Sequence, residues 1–263
     1  MLISPPANRW LKPLKTNEEL SMAIKTNILE LNGLNPAYFT NTELLPLDDY
    51  LTGRGIYLFP HIEKRFGSIP LERVVGHSQG YDAMKWGDCL GGRHLKRIER
   101  ALMELKENPN YYLDHHVKPG ISFTKVEDAY FIEEGKHRTI TARFLYHHNQ
   151  EVFRNTSPLS NVNIHERFID HEYMGYVYEI NMLQKIYPEL EFEMTYTDSN
   201  NERCLAVHPT NFNMPSSFFT RGEVEDCIKH LKSPNLLNKL RSHRLYQHIG
   251  TSHCLKHMFG NIK

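Results

Sequence analysis

Five consecutive residues, Glu134 to Arg138, combine side chains and backbone that suit a phosphate group. The apolar run Ala129 to Glu133 is typical of a strand, and a helical pattern begins directly after Gly135. The first turn of a helix leaves backbone N–H groups unpaired and carries the positive end of the helix dipole. Three basic side chains add donors, and Gly135 permits close backbone approach. The run predicts either a phosphate-binding turn or a solvated basic turn between a strand and a helix.

The same run resembles the signature of the ParB/sulfiredoxin superfamily. In that signature an acidic residue precedes Gly-x-His-Arg at the start of a helix, and a small residue follows four positions after the Arg. Glu134 and Ala142 supply the acidic and the small residue here, and the resemblance covers about residues 66–150. Three segments are similar to the first strand of that fold, to the helix before its hairpin and to the strand before the signature, namely Ile69 to Val75, Gly92 to Glu107 and Ile121 to Val126.

The resemblance implies a compact α/β domain that holds phosphate, usually of a nucleotide such as ATP or CTP, at the Gly-x-His-Arg turn. Members include ParB-type CTPases, sulfiredoxin, free-serine kinases and plasmid-borne nucleases. Sulfinic acid reduction is not expected, because Lys136 stands where sulfiredoxin requires a Cys. The resemblance implies catalytic roles for Glu134, His137 and Arg138, and a phosphate site formed by Gly135, Lys136, His137, Arg138 and Thr139.

A hydrolase of this kind would also need carboxylates or imidazoles to hold a divalent ion such as Mg²⁺ or Mn²⁺. The nearest candidates in the sequence are Asp128 and Glu134, followed by Asp114 and His116. Asp114 to His116 also matches the metal-binding triplet of DHH phosphoesterases. The further Asp and His clusters of that family are missing from the sequence, so a surface loop is the preferred interpretation.

A rival motif is Gly76 to Gly80, which has the Gly-x-Ser-x-Gly form of the nucleophile elbow of α/β hydrolases. Ser78 would be the nucleophile, and Asp170 and His208 follow in the order of a catalytic triad. The elbow needs a helix directly after the serine, whereas three glycines interrupt the residues up to Gly92. An α/β hydrolase therefore stays an alternative rather than the main hypothesis.

Two Cys-x-x-His pairs, Cys227 with His230 and Cys254 with His257, have the residue types of a zinc site. On helices each pair would share a face, and four such ligands could close a tetrahedron. The separation of the pairs is long for a zinc finger, and either cysteine can instead be a buried apolar residue. The sequence favours buried cysteines over Zn²⁺.

The end of the chain is basic, since residues 227–263 include no Asp or Glu. Tyr246 and Phe259 lie among these cations and could stack on bases. A solvated basic face on terminal helices is the alternative. Four of the basic residues are the candidate contacts for nucleic acid, namely Lys239, Arg241, Arg244 and Lys256.

The composition limits the size and the class of the protein that carries these motifs. The 263 residues suit one elaborated domain or two small ones, and 31 basic residues balance 31 acidic ones, so no overall charge draws the chain to nucleic acid. Four scattered cysteines and a start without a signal-peptide pattern predict a reducing cytoplasmic setting. No apolar run is long enough for a membrane helix, so no membrane partner is expected.

Periodicity predicts the elements around these motifs. Helices are expected at Asn17 to Gly33, Gly92 to Glu107, Thr139 to Tyr146 and 167–187. Residues 35–70 are expected to form irregular connections with one short strand. Two hairpins are expected, one turning at Glu127 and Asp128 and one joining Leu190 to Thr197 with Arg203 to Val207.

The sequence thus predicts an α+β protein with three regions. Residues 1–65 form an N-terminal arm and helix, residues 66–150 a ParB/sulfiredoxin-like core, and residues 151–263 a hairpin region with basic helices. The main functional hypothesis is a metal-dependent nuclease or NTPase that acts on or with DNA. A DNA- or nucleotide-binding regulator without catalysis is the first alternative, a small-molecule kinase is another, and a homodimer is compatible with each.

Overall fold

The computed structural model describes residues 16–154, 156–210 and 216–232. The chain divides into two compact units. Among the described residues, the first comprises residues 16–50 and 62–167, and the second comprises residues 51–61 and 168–232. Within the described ranges, no helix is both long enough and apolar enough to cross a lipid bilayer.

The described chain contains a mixed sheet of seven strands. The strands are β1 (Glu43–Pro46), β2 (Leu58–Gly67), β3 (Val74–His77), β4 (Met84–Lys85), β5 (Ser122–Val126), β6 (Ala129–Glu134) and β7 (Val162–Ile169). Their order across the sheet is β2-β7-β5-β6-β3-β1-β4. Strands β5 and β6 pair antiparallel around Glu127 and Asp128, which confirms the first predicted hairpin. Parallel pairs join β3 to β6 and β5 to β7.

Helices precede, interrupt and follow these strands. They are α1 (Asn17–Ala23), α2 (Ile28–Leu34), α3 (Leu47–Thr52), α4 (Trp86–Leu90), α5 (Ile98–Glu107), α6 (Asn110–Leu113), α7 (Lys136–His148) and α8 (Gln150–Phe153). The longest of them, α7, begins where β6 ends, so strand β6 fixes the position of its first turn.

The two faces of the central strands differ in polarity because side chains alternate along a strand. On one face, apolar side chains of β5, β6 and β7 are buried in a cluster that also includes residues of α5 and α7. These strand residues are Phe123, Tyr130, Ile132, Val162 and Ile164. The alternate positions carry Thr124, Glu133 and His165 as well as the buried Phe131, so the opposite face is polar around these three side chains.

The second unit pairs an antiparallel sheet with two helices. Its described elements are α9 (His171–Ile186), β8 (Leu190–Met194), β9 (Arg203–Pro209), β10 (Ser217–Thr220) and α10 (Arg221–Lys232). The sheet order is β10-β9-β8, and β8 and β9 confirm the second predicted hairpin. A separate apolar cluster fills this unit, with Leu183, Leu205 and Val224 among its buried residues.

A buried ion pair joins the start of α9 to the start of α10. The Nη2 atom of Arg221 lies 2.6 Å from Oδ1 of Asp170, and the two side chains are 4% and 0% exposed. Asp170 also caps α9 by accepting from the N–H of Tyr173 at 3.0 Å. Burial opposes ionisation of Asp170, but the hydrogen bonds from Arg221 and Tyr173 outweigh it and lower the pKa of the carboxyl.

The fold class is confirmed as mixed α and β, but several predicted element boundaries are wrong. The expected helix from Asn17 to Gly33 is two helices, because Asn149 exchanges hydrogen bonds with the backbone of Lys25 between them. The cap of α1 is Thr16, which forms a capping box with Glu19. A tertiary contact here replaces the helical hydrogen bonds that the local pattern favours.

Three further element boundaries differ from those that the sequence predicts. The helix expected from Gly92 starts at Ile98, since Gly92 has a positive φ of 84°. Residues 35–70 contain β1, α3 and the long strand β2 instead of mainly irregular connections. Proline is compatible with β2 because β2 lies at the edge of the sheet, where N–H groups that face away from β7 make no ladder bond. The residues from 167 to 169, expected to be helical, complete strand β7.

Candidate functional site

Gly135 makes the turn between β6 and α7. Its φ of 80° lies in the left-handed region that favours glycine. A Cβ at this position would lie 2.8 Å from the carbonyl oxygen of Gly120 and 2.8 Å from Cγ1 of Ile121. Both the backbone conformation and the close neighbours therefore require glycine, which sets the direction in which α7 leaves the sheet.

The first turn of α7 presents backbone N–H groups without acceptors. The first hydrogen bond of the helix runs from the N–H of Thr139 to the carbonyl of Gly135 at 2.9 Å. The N–H groups of Lys136, His137 and Arg138 have no acceptor among the residues that the structure describes. Thr139, expected to contact phosphate, is buried, and its hydroxyl donates to the carbonyl of Gly135 at 3.1 Å. The backbone of the predicted run thus meets the requirement for anion binding, whereas the Thr139 hydroxyl is already engaged.

Lys136 is a buried cation. The residue is 7% exposed, and its Nζ lies 3.8 Å from the centre of the Tyr81 ring. The nearby thiol of Cys89 is neutral at pH 7, because burial raises its pKa to about 11. Burial likewise lowers the pKa of Lys136. Across the described part of the chain, no hydrogen-bond acceptor or carboxylate contacts this ammonium group.

Arg138 points to a different neighbourhood from Lys136. Its Nη2 lies 4.0 Å from Oε2 of Glu104, and its guanidinium lies 5.4 Å from the centre of the Tyr111 ring. These residues line a small cavity of about 190 Å³. His137 lies between the two cations in sequence, and burial together with the charges of Lys136 and Arg97 lowers its pKa. The basic triplet therefore spreads around the first turn of α7 instead of converging on one point.

A larger cavity of about 700 Å³ lies over the polar face of the seven-stranded sheet. Glu134, the residue before the glycine turn, lines it together with the loop from Ser78 to Gly80. The side chain of Gln79 donates to the carbonyl of Glu133 and so holds that loop against β6. The remaining polar lining includes Asp48, Ser122, Thr124, Asn163, His165 and Arg167.

Glu133 joins three strands at the floor of this cavity. One carboxylate oxygen accepts a hydrogen bond from the hydroxyl of Thr124 on β5, the strand between β6 and β7. The other lies 2.7 Å from Nδ1 of His165 on β7. The result is a carboxylate–imidazole pair on the cavity floor, with the carboxylate fixed at both oxygens.

Comparison with protein-family models, curated proteins and solved structures gives no match.

The candidate metal ligands are not brought together. Asp128 forms an ion pair with Arg73 at 2.5 Å and lies at the opposite end of β6 from Glu134, about 20 Å along the strand. Asp114 accepts from the N–H of His116 at 2.8 Å in the loop after α6, as the loop interpretation of this triplet predicted. Over the described ranges, no group of three or more His, Cys, Asp or Glu side chains is arranged to hold a metal ion.

The alternative prediction of a nucleophile elbow at Ser78 is wrong. After β3 the chain bends and enters the short strand β4, and α4 begins only at Trp86, so no helix follows the serine directly. The expected triad partners are engaged elsewhere, because Asp170 pairs with Arg221 and Nδ1 of His208 lies 2.7 Å from Oγ of Ser216. Ser78 to Gly80 instead form part of the wall of the larger cavity.

Cys227 and His230 both lie on α10, and Cys227 is buried in the apolar cluster of the second unit. Burial raises the pKa of its thiol to about 12. The other expected zinc ligands and the expected nucleic-acid contacts lie outside the described residues, namely Cys254, His257, Lys239, Arg241, Arg244 and Lys256.

Sequence reasoning missed Thr124, Glu133 and His165. A signal was present, since polar and apolar residues alternate from Val162 to His165 with the period of a strand. The predicted helix from residue 167 begins directly after that run. The meeting of His165 and Glu133 depends on the parallel pairing of β5 with β7, which no local pattern specifies.

Proposed function

We propose that this chain binds the phosphate groups of a nucleotide or nucleic acid at the first turn of α7. The observation that carries the proposal is the ammonium group of Lys136, which is buried without an anionic partner among the described residues. A buried charge is costly unless it is paired, so an anion would relieve the cost. The three free N–H groups of residues 136–138 and the helix dipole add to the attraction.

The resemblance to the ParB/sulfiredoxin superfamily supports the same proposal from the sequence side. Its signature covers Glu134 to Arg138, the residues that form the turn. The broader proposal is a metal-dependent nuclease or NTPase that acts on or with DNA, and a regulator that only binds is its alternative. Substitution of Glu134 distinguishes the enzyme from the regulator. A regulator that binds without catalysis needs no carboxylate at the site, so Glu134→Gln should leave its ligand binding intact.

The test is thermal stabilisation by ATP, CTP, GTP, ADP, inorganic phosphate and short DNA, each with and without Mg²⁺. A ligand at about 100 times its Kd adds about 2.7 kcal/mol of stability. We expect at least one phosphate compound to stabilise the wild type and to lose that effect in Lys136→Gln.

Lys118→Gln is the matched control. Lys118 is also buried, at 3% exposure, and lies 5.2 Å from the centre of an aromatic ring, but its Nζ donates to the carbonyl of Asp114 at 2.5 Å. Its loss should therefore leave ligand stabilisation unchanged. Equal stabilisation of the wild type and Lys136→Gln, or none in the wild type, would refute phosphate binding at this turn.

A further inference from the structure

The cavity over the polar sheet face contains the elements of a general base. Nδ1 of His165 lies 2.7 Å from a carboxylate oxygen of Glu133, so the carboxylate favours the tautomer with its proton on Nδ1. The Nε2 atom is then a lone-pair acceptor. It has no partner within the described part of the chain, and the His165 side chain is 29% exposed.

The same floor carries a cation. Arg167 lies two residues after His165 on β7, so the two side chains share a face of the strand. Arg167 lines the cavity, and its Nε is buried without a hydrogen-bond partner in the described ranges. The guanidinium of Arg167 suits an anionic group of a substrate. The neighbouring imidazole suits a hydroxyl or water that must lose a proton.

We propose that His165 is the catalytic general base for hydrolysis of a phosphate ester or anhydride bound in this cavity. Its Nε2 takes a proton from water while the water oxygen forms a bond to phosphorus. The bond from phosphorus to the leaving oxygen breaks, and that oxygen receives the proton back from the imidazolium. Arg167 balances charge on the phosphoryl oxygens, and Glu133 is a positioning residue that fixes the imidazole.

The inference rests on the proposed function for its class of substrate, and the adjoining position of Glu134 connects the cavity with the glycine turn. The charged groups that face His165 across the cavity are Glu133, Glu134, Asp48 and Arg167. Neither His165 nor Arg167 was expected to be catalytic from the sequence motifs.

The experiment measures phosphate release from ATP and CTP and nitrophenol release from bis(p-nitrophenyl) phosphate, using the full chain over a range of pH, with and without Mg²⁺. We expect His165→Gln to lower kcat by about 100-fold or more. Nucleotide-induced thermal stabilisation should be unchanged in this variant, which also shows that it is folded.

Glu133→Gln tests positioning. We expect kcat to fall by about 10-fold to 100-fold while KM and nucleotide-induced thermal stabilisation stay unchanged, since a neutral amide holds the Nδ1 proton of His165 less firmly than the carboxylate does. His115→Gln is the control, because His115 contacts Ser160 at 3.2 Å and does not line this cavity. It should keep the wild-type kcat.

The outcomes separate the two proposals. A wild type that binds nucleotides but hydrolyses none of the substrates overturns the general base and leaves phosphate binding intact. Wild-type turnover by His165→Gln also overturns it. Absence of both binding and turnover refutes both proposals.

Discussion

Gly135 carries two constraints that can be measured separately. Its φ is positive, and a Cβ would contact Gly120 and Ile121. Gly120 offers a matched position, because its φ is 72° but a Cβ there would have nothing within 4 Å. The comparison isolates the close contact from the backbone conformation.

We expect Gly135→Ala to lower the free energy of unfolding by about 2 to 4 kcal/mol, the sum of left-handed strain and overpacking. Gly120→Ala should cost about 1 to 2 kcal/mol, from strain alone. Urea unfolding followed by circular dichroism measures both. Equal losses in the two variants would show that the turn tolerates a Cβ and that the close approach of Gly120 is not required.

At the residue scale the glycine turn could be predicted, because strand, Gly and basic helix start are contiguous in sequence. The directions of the basic side chains at this turn could not be predicted. Lys136 turns to Tyr81 and Arg138 turns to Glu104, and these partners come from distant segments. The common site expected for the basic triplet is therefore spread over two neighbourhoods.

Among the elements, the starts of α9 and α10 depend on the buried pair of Asp170 and Arg221. We expect Asp170→Ala to lower the free energy of unfolding by about 3 to 5 kcal/mol, because it leaves Arg221 buried without its main partner. The lost cap of α9 adds to this cost. Chemical denaturation of the full chain gives the value.

Glu172→Gln serves as the comparison for that pair. Glu172 also contacts Arg221, at 3.0 Å, but its side chain is 59% exposed. Its loss should cost less than about 1 kcal/mol. If the two substitutions cost the same, burial does not decide the strength of these contacts, and the structural role given to Asp170 is wrong.

Both hairpins could be predicted at the element scale, since each joins neighbouring segments through a polar turn. The strand β7 could not be delimited in the same way. Its C-terminal residues, up to Ile169, run almost directly into α9, so the strand and helix patterns merge in sequence. The polar floor formed by β5, β6 and β7 became evident only from their pairing.

For the whole molecule, four histidines give a prediction about acid stability. Burial lowers the pKa of His77, His137, His147 and His148 from 6.5. Below that value the unfolded chain binds more protons than the folded chain, so the free energy of unfolding falls as pH drops through about 6.5. Urea midpoints measured from about pH 8 to pH 5 should decrease.

His77 is the most buried of these residues, with no exposed surface. His77→Gln removes its titration and should flatten part of the slope between about pH 7 and pH 5, whatever its effect on absolute stability. A pH-independent midpoint in the wild type, or an unchanged slope in His77→Gln, would contradict this assignment. Carboxyl groups with lowered pKa, such as Asp170, act at lower pH and do not account for a change near 6.5.

The most direct measurement is a titration with inorganic pyrophosphate followed by the backbone amide signals of the ¹⁵N-labelled full chain. Phosphate binding at the first turn of α7 predicts saturable shifts of the amides of Lys136, His137 and Arg138, retained in Lys118→Gln and lost in Lys136→Gln. Shifts confined to other residues, or equal shifts at this turn in Lys136→Gln, would contradict the assignment of this turn as a phosphate site.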